Sequence, residues 1–261
     1  MESRETKLNF KDVTFLIRIR VDSMDRLENL LMVVDYMRSH FDTHIDVMET
    51  AKHNNHILEK LLQEEITLTF EEDYDPIYHY TKYMNQMVKK CDTKFIAVWE
   101  ADVIVPIQQM AQSISLLRKD EADFVSPYKE KAFDTTHILR ELYFKTQDIN
   151  LLQENKGKMI EMYSPNPVGG GFLANREKYI EAGMENEKFY GWGREDGERI
   201  NRWKILGYRY KRVNGPLFHL THERGINSQF HSPKQDDIKA SKVFRLYAMS
   251  KEEMVEEIEG W

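Results

Sequence analysis

The run FIAVW at positions 95–99 constrains the fold of this chain more than any other feature. A strand that is apolar at every position, rather than at alternate ones, leaves no face for solvent, so the sheet around it must be covered on both sides. Neighbouring segments supply the covers. Positions 12–21, DVTFLIRIRV, are β-rich and read as a strand, and positions 25–41, with leucine and methionine at helical spacing, read as the helix that follows. Further strands are expected at 44–50 and 65–73, a short helix at 55–64 and, after Pro76, a longer one at 77–91. The apolar run itself is expected to belong to a strand over 94–106, interrupted by acidic residues. Such alternation predicts an α/β fold, a sheet flanked by helices.

A chain of 261 residues with 41% apolar content can build a substantial core. Its 37 basic and 44 acidic residues leave a formal charge of −7, which argues against a general nucleic-acid binder but leaves a nucleotide open. Cys91 is the single cysteine, so the chain has neither an intrachain disulfide nor a cysteine cluster for zinc, and a reducing, cytoplasmic setting is expected. The N-terminus MESRETKLNF is polar, and no apolar run approaches the roughly 20 residues of a transmembrane helix. The expectation is a soluble chain, cytoplasmic or peripheral to the membrane.

Four groups of residues have the types that chemistry needs. Glu100 and Asp102 sit two apart, so on an extended backbone their carboxylates point to one side at the carboxyl end of a strand, where open α/β sheets bind ligands. A divalent cation between them would relieve their repulsion, whereas a strand end turning into solvent would need no ligand. Gly169, Gly170 and Gly171 allow close backbone approach to a ligand, and a tight turn would use them equally well. Their spacing is not that of a P-loop.

In the stretch KFYGWGREDGERINRWKILGY, positions 188–208, Ile200, Trp203 and Leu206 recur at helical spacing and Gly207 suits the helix end. Glu195 and Asp196 therefore fall at the helix start, where acidic residues cap free N–H groups and favour the dipole. Capping needs one acid, yet three occur in four positions beside Trp192, which lies between two glycines. His219 and His222 form the fourth group. Imidazole with carboxylate suits Mn²⁺ better than Ca²⁺, but two histidines need a third ligand. Arg18, Arg20 and Asp22 close the first strand, either at a nucleotide crevice or as an ordinary polar strand end. The segment 115–167, with a strand expected at 122–128 and His137 on the surface, reads as an insertion or acceptor-side region.

The order WEADVIVP, VGGGFLANREKYIEAGM, FYGWGREDGERINRWKILGYRY and PLFHLTHERG resembles the GT-A glycosyltransferases, most closely the β-1,4-galactosyltransferase-like group and its bacterial family 2 relatives. The resemblance spans positions 95–106 and 167–225, with a weaker echo at 18–29. It implies a Rossmann-like mixed sheet of the nucleotide-diphospho-sugar transferase type flanked by helices. The whole of 1–261 would be one such domain, with a nucleotide-binding half at about 10–110, a donor, acceptor and metal half at about 160–231 and a helical tail at 232–261.

By the same resemblance Asp102 is the metal-binding carboxylate of an Asp-x-Asp motif, with Glu100 in place of the first acid. His222 matches the family's metal-binding histidine, and His219 falls where relatives place a second ligand. Trp192 would contact sugar, Glu195 hold donor or acceptor, and Asp196 act as catalytic base. Arg194 stands where the family motif has glycine, and Gly197 where some relatives carry an acid. The implied activity is metal-dependent, inverting transfer of a hexose or N-acetylhexosamine from a UDP-sugar to a glycan, lipid-linked or polysaccharide acceptor, with Mn²⁺ or Mg²⁺ and no nucleic-acid partner. The alternatives are a non-catalytic nucleotide-sugar or glycan binding module and a two-carboxylate glycoside hydrolase.

Overall fold

A computed structural model describes residues 6–62, 65–165, 167–230 and 232–261. Residues 1–5, and positions 63–64 of the helix expected at 55–64, lie outside the described residues. In chain order the first half comprises β1 (Leu8–Ile19), α1 (Met24–His40), β2 (Phe41–Ala51), α2 (Ile57–Leu61), β3 (Thr67–Glu72), α3 (Tyr80–Lys90) and β4 (Phe95–Trp99). The Ser23 hydroxyl accepts from the Arg26 N–H and so starts α1 where the β-rich run ends. After β4 come β5 (Val103–Ile104), α4 (Ile107–Arg118), β6 (Phe124–Ser126), β7 (Ala132–Asp134), α5 (His137–Thr146), α6 (Ile149–Glu154) and β8 (Ile160–Met162). The remainder is β9 (Gly171–Asn175), α7 (Arg176–Glu181), α8 (Glu195–Leu206), β10 (Tyr210–Arg212), β11 (Leu217–His219), α9 (Pro233–Tyr247) and α10 (Lys251–Glu259).

Seven strands form one mixed sheet in the order β10-β6-β9-β4-β1-β2-β3, in which β9 runs antiparallel to both neighbours. Alternation along β4 explains its continuous apolar character: Phe95, Ala97 and Trp99 enter the core on one face, Ile96 and Val98 the core on the other. The first core includes Leu30 and Val33 of α1 and Met110 of α4. The second includes Met84 of α3, Trp203 of α8, Leu246 of α9 and Met254 of α10. Trp203 stacks on Phe124 with ring centroids 4.0 Å apart, which fastens α8 to the sheet.

The strand expected at 94–106 divides at positions 100–102. Backbone bonding redirects there: the Glu100 N–H donates to the Gly170 carbonyl at 3.2 Å, and the Leu220 N–H donates to the Asp102 carbonyl at 2.7 Å. Val103 and Ile104 then enter a second, four-stranded sheet of order β5-β11-β7-β8. The segment 115–167 is woven into both sheets, giving β6 to the first and β7 and β8 to the second. His137 opens α5 and is exposed. The C-terminal helices pack on α8, and Val243, Leu246 and Met254 are buried.

Candidate active site and metal centre

A cleft of about 370 Å³ opens where β1 and β4 end, between the second sheet and the start of α8. Arg18, Arg20, Glu100, Asp102, Gly170, Trp192, Glu195, Asp196, His219 and His222 all line it. Gly171 does not: it lies on β9 against the Trp99 ring, where a Cβ would sit 2.7 Å from the indole. The other two glycines answer different needs. Gly170 has φ +93°, and a Cβ on Gly169 would come within 2.8 Å of the Asp196 Oδ2 atom.

The turn after β4 separates Glu100 from Asp102, so the two carboxylates have different partners. Glu100 accepts from Arg18 at 2.8 Å. Asp102 is buried and faces two imidazoles, its Oδ2 lying 3.2 Å from His222 Nε2 and 3.5 Å from His219 Nε2. Sheet register explains the convergence, because β11 pairs with β5 on one side and with β7 on the other, setting His219 opposite Val103 and Asp134. His219 Nδ1 lies 2.8 Å from Asp134 Oδ1, and His222 Nδ1 lies 2.8 Å from the Glu223 carbonyl. Each outer ring nitrogen thus has an acceptor, which turns both Nε2 atoms toward the same carboxylate oxygen.

Ligand atoms of Asp102, His219 and His222 all lie within 4.8 Å of one another. Two nitrogens and one oxygen from a buried, oriented set fit a first-row divalent cation. The electrostatics of the carboxylate agree with that use, whereas at His219 a cation must displace a proton. Burial opposes ionisation of Asp102, but the imidazoles outweigh it and hold the carboxyl well below its usual range. Burial likewise works against charge on His219, yet Asp102 and Asp134 raise it to about 9.

On the opposite wall, α8 begins at Arg194, whose φ of +73° is left-handed and whose side chain makes no capping bond. Neither Glu195 nor Asp196 occupies the N-cap. Asp196 accepts from Arg199, which Glu185 holds from the other side at 2.7 and 2.8 Å, and Tyr179 donates to Glu185 at 2.5 Å. Burial raises the Asp196 carboxyl above its usual range against the pull of Arg199. Glu195 is 5% exposed, and its buried Oε2 has no hydrogen-bond partner among the described residues. Burial, and then the Asp196 charge, push this carboxyl up to about 7. The third acid, Glu198, is fully buried and paired with Arg202 at 2.7 Å, a structural role.

Arg18 packs over the Tyr80 ring at 4.3 Å, and two of its three guanidinium nitrogens are buried without a partner among the described residues. Arg20 is held instead by Asp73 at 2.6 Å and by the Asp75 and Pro76 carbonyls at 2.8 and 3.2 Å. Several supporting residues carry no sequence signal that would have found them: Asp134, Glu185, Arg199, Tyr80 and Lys239, whose ammonium donates to the Trp192 carbonyl at 2.7 Å. Except for Arg199, three positions from Asp196 on the same helix, they lie far along the chain from the groups they orient.

Residues 155–224 match a family model described as the N-terminal domain of galactosyltransferase. No curated protein sequence matches the chain. Among solved structures, it resembles the catalytic domain of Drosophila β1,4-galactosyltransferase 7 in complex with xylobiose, with a TM-score of 0.55 and 14% identity over 89% of this chain and 79% of that one. A second is glucosyl-3-phosphoglycerate synthase from Mycobacterium tuberculosis with Mn²⁺, UDP and glucosyl-3-phosphoglycerate, with a TM-score of 0.51 and 12% identity over 91% and 78%. A third is GalNAc-T7 with UDP, GalNAc and Mn²⁺, with a TM-score of 0.57 and 14% identity over 88% of this chain and 47% of that one, so this chain spans about half its length. These structures share the fold of this chain, a mixed sheet flanked by helices, and the family match is confined to residues 155–224. Among the described residues no helix is long and apolar enough to cross a membrane.

Proposed function

We propose that the chain transfers a hexose or N-acetylhexosamine from a UDP-sugar to a hydroxyl of a glycan, lipid-linked or polysaccharide acceptor, with inversion and with Mn²⁺ or Mg²⁺. The observation that carries this reading is one cleft lined both by the buried set Asp102, His219 and His222 and by a carboxylate, Asp196, braced from behind by Arg199. When bound, the divalent cation supplies Lewis-acid stabilisation for the negative charge that develops on the leaving diphosphate.

The chain's own residues do the rest. Asp102 Oδ2 and the two Nε2 atoms would hold the cation, and Asp134 and the Glu223 carbonyl fix the rings. Arg18, with unpartnered nitrogens at the carboxyl end of β1, meets the nucleotide side. Arg20 stiffens that wall through Asp73. Asp196 takes the proton of the attacking hydroxyl, general-base assistance that contributes about 10²–10⁴-fold, and its raised carboxyl makes it a stronger base than an ordinary aspartate. Arg199 engages its Oδ1 and leaves Oδ2 beside Gly169, where the absence of a side chain keeps the approach open. Glu195 offers its unpartnered Oε2 to a sugar hydroxyl, and Trp192 covers the ring.

The test is UDP release from UDP-Gal, UDP-GalNAc, UDP-GlcNAc and UDP-Glc, with and without a panel of glycan acceptors. Release should require one donor, an acceptor and metal, and should return after chelation when Mn²⁺ is restored. Binding of UDP and metal with no release across the panel would instead identify a binding module.

A further inference from the structure

Three residues from the C-terminal part of the chain grip the turn that carries Trp192. Lys239 on α9 is 3% exposed, and among the described residues its one hydrogen bond goes to the Trp192 carbonyl, at 2.7 Å. Asp236, three positions earlier on the same helix, accepts from Arg194 Nε at 2.6 Å. Phe230 stands edge-on to the Trp192 indole, with centroids 5.2 Å apart, and its ring fills the space beside Gly193, where a Cβ would come within 2.7 Å. Trp192, Gly193 and Arg194 are thus each held by a different group on one external segment.

The backbone they hold needs holding. Gly193 and Arg194 are consecutive left-handed residues, with φ +104° and +73°. For arginine that conformation is costly and persists only where the surroundings impose it. A buried ammonium bonded to a main-chain carbonyl is a strong, directional constraint of this kind. Burial lowers the Lys239 ammonium to about 8, with Glu195 pulling it back, so it remains mainly charged at neutral pH.

We propose that Lys239 is a positioning residue that holds the Trp192 carbonyl, fixes the indole over the cleft and thereby sets affinity for the acceptor sugar. The inference rests on the sugar-binding role given to Trp192 above. It concerns the acceptor because Trp192 precedes Asp196 by four residues on the turn that opens α8. The sugar whose hydroxyl meets Asp196 is therefore the one Trp192 covers.

Lys239→Met keeps the aliphatic stem and removes the donor, while Lys239→Arg retains one. Steady-state kinetics, UDP–Mn²⁺ affinity and hydrogen exchange over residues 191–195 are measured for both. Lys239→Met should raise acceptor KM about tenfold with kcat and UDP–Mn²⁺ affinity nearly unchanged, and exchange in the turn should accelerate. Lys239→Arg should recover most of the loss, and Asp236→Asn should shift KM the same way but less.

Unchanged exchange in Lys239→Met would overturn the clamp, whether or not transfer is observed. Faster exchange with unchanged acceptor KM would overturn its role in sugar affinity, as would an equal loss of UDP–Mn²⁺ affinity. A wild-type chain without transfer would remove the reading of function, while exchange would still decide the clamp and acceptor binding by calorimetry would replace KM.

Discussion

Glu195 is the residue at which the cleft's electrostatics are most exposed to test. Its carboxyl rises from an ordinary 4.5 to about 7, first through burial and then through Asp196. A raised acid favours folding when protonated, so its stabilising share is complete below pH 4.5 and is lost as pH rises through 7. Glu195→Gln, which stays neutral, should match the wild type near pH 4.5 and exceed it by roughly 2–3 kcal/mol above pH 7. Urea unfolding at pH 4.5 and pH 8 checks this, and equal differences at both would mean that the charge is not buried. The surplus of acid beside Trp192 is legible in the sequence, but only part of its meaning is. Glu198 belongs to a buried pair with Arg202, and the N-cap is Arg194. Letters three or four apart specify a helix start but not the partner of each carboxylate, since Asp196 is held by Arg199 and Arg199 by Glu185 from outside the helix.

Among the elements, β7 shows most clearly what pattern reading could not reach. Three residues, AFD, carry too little periodicity to announce a strand, yet their register with β11 puts Asp134 opposite His219. Removing that outer acceptor leaves the His219 ring free to turn. Asp134→Ala should therefore weaken Mn²⁺ binding about 10–100-fold with no loss of fold, measured by calorimetry and circular dichroism. A variant with wild-type metal affinity would dissociate Asp134 from the site. By contrast β1, α1, β2, β3 and α3 were legible to within a few residues, because their apolar periodicity is set by contacts with the sheet and its covers. The division of 94–106 was not, because it depends on the Gly170 carbonyl and the Leu220 amide, both far away in sequence.

Over the whole molecule, the proposed metal ligands join the two sheets. Asp102 lies in the turn between β4 and β5, His219 ends β11, and His222 follows three residues later. A cation bound there would cross-link the large sheet to the small one, so metal binding should appear as global stability. At a hundredfold excess over Kd, Mn²⁺ should raise Tm by roughly 5 °C, and Asp102→Ala should abolish the rise. An equal rise in that variant would locate binding elsewhere. The two-sided cover was implied by an all-apolar β4 among helical segments. The second sheet was not implied, since its strands are two or three residues long and draw their partners from separate parts of the chain.

The most direct measurement is the anomeric configuration of the product, read by NMR from an α-linked UDP-sugar, an acceptor and Mn²⁺. Base-assisted attack from the face opposite UDP should give a β-glycoside with the wild type, and Asp196→Asn should form it at least about 100-fold more slowly while still binding UDP and metal. An α-glycoside, free sugar as the sole product, or undiminished turnover by Asp196→Asn would contradict inverting transfer with Asp196 as its base.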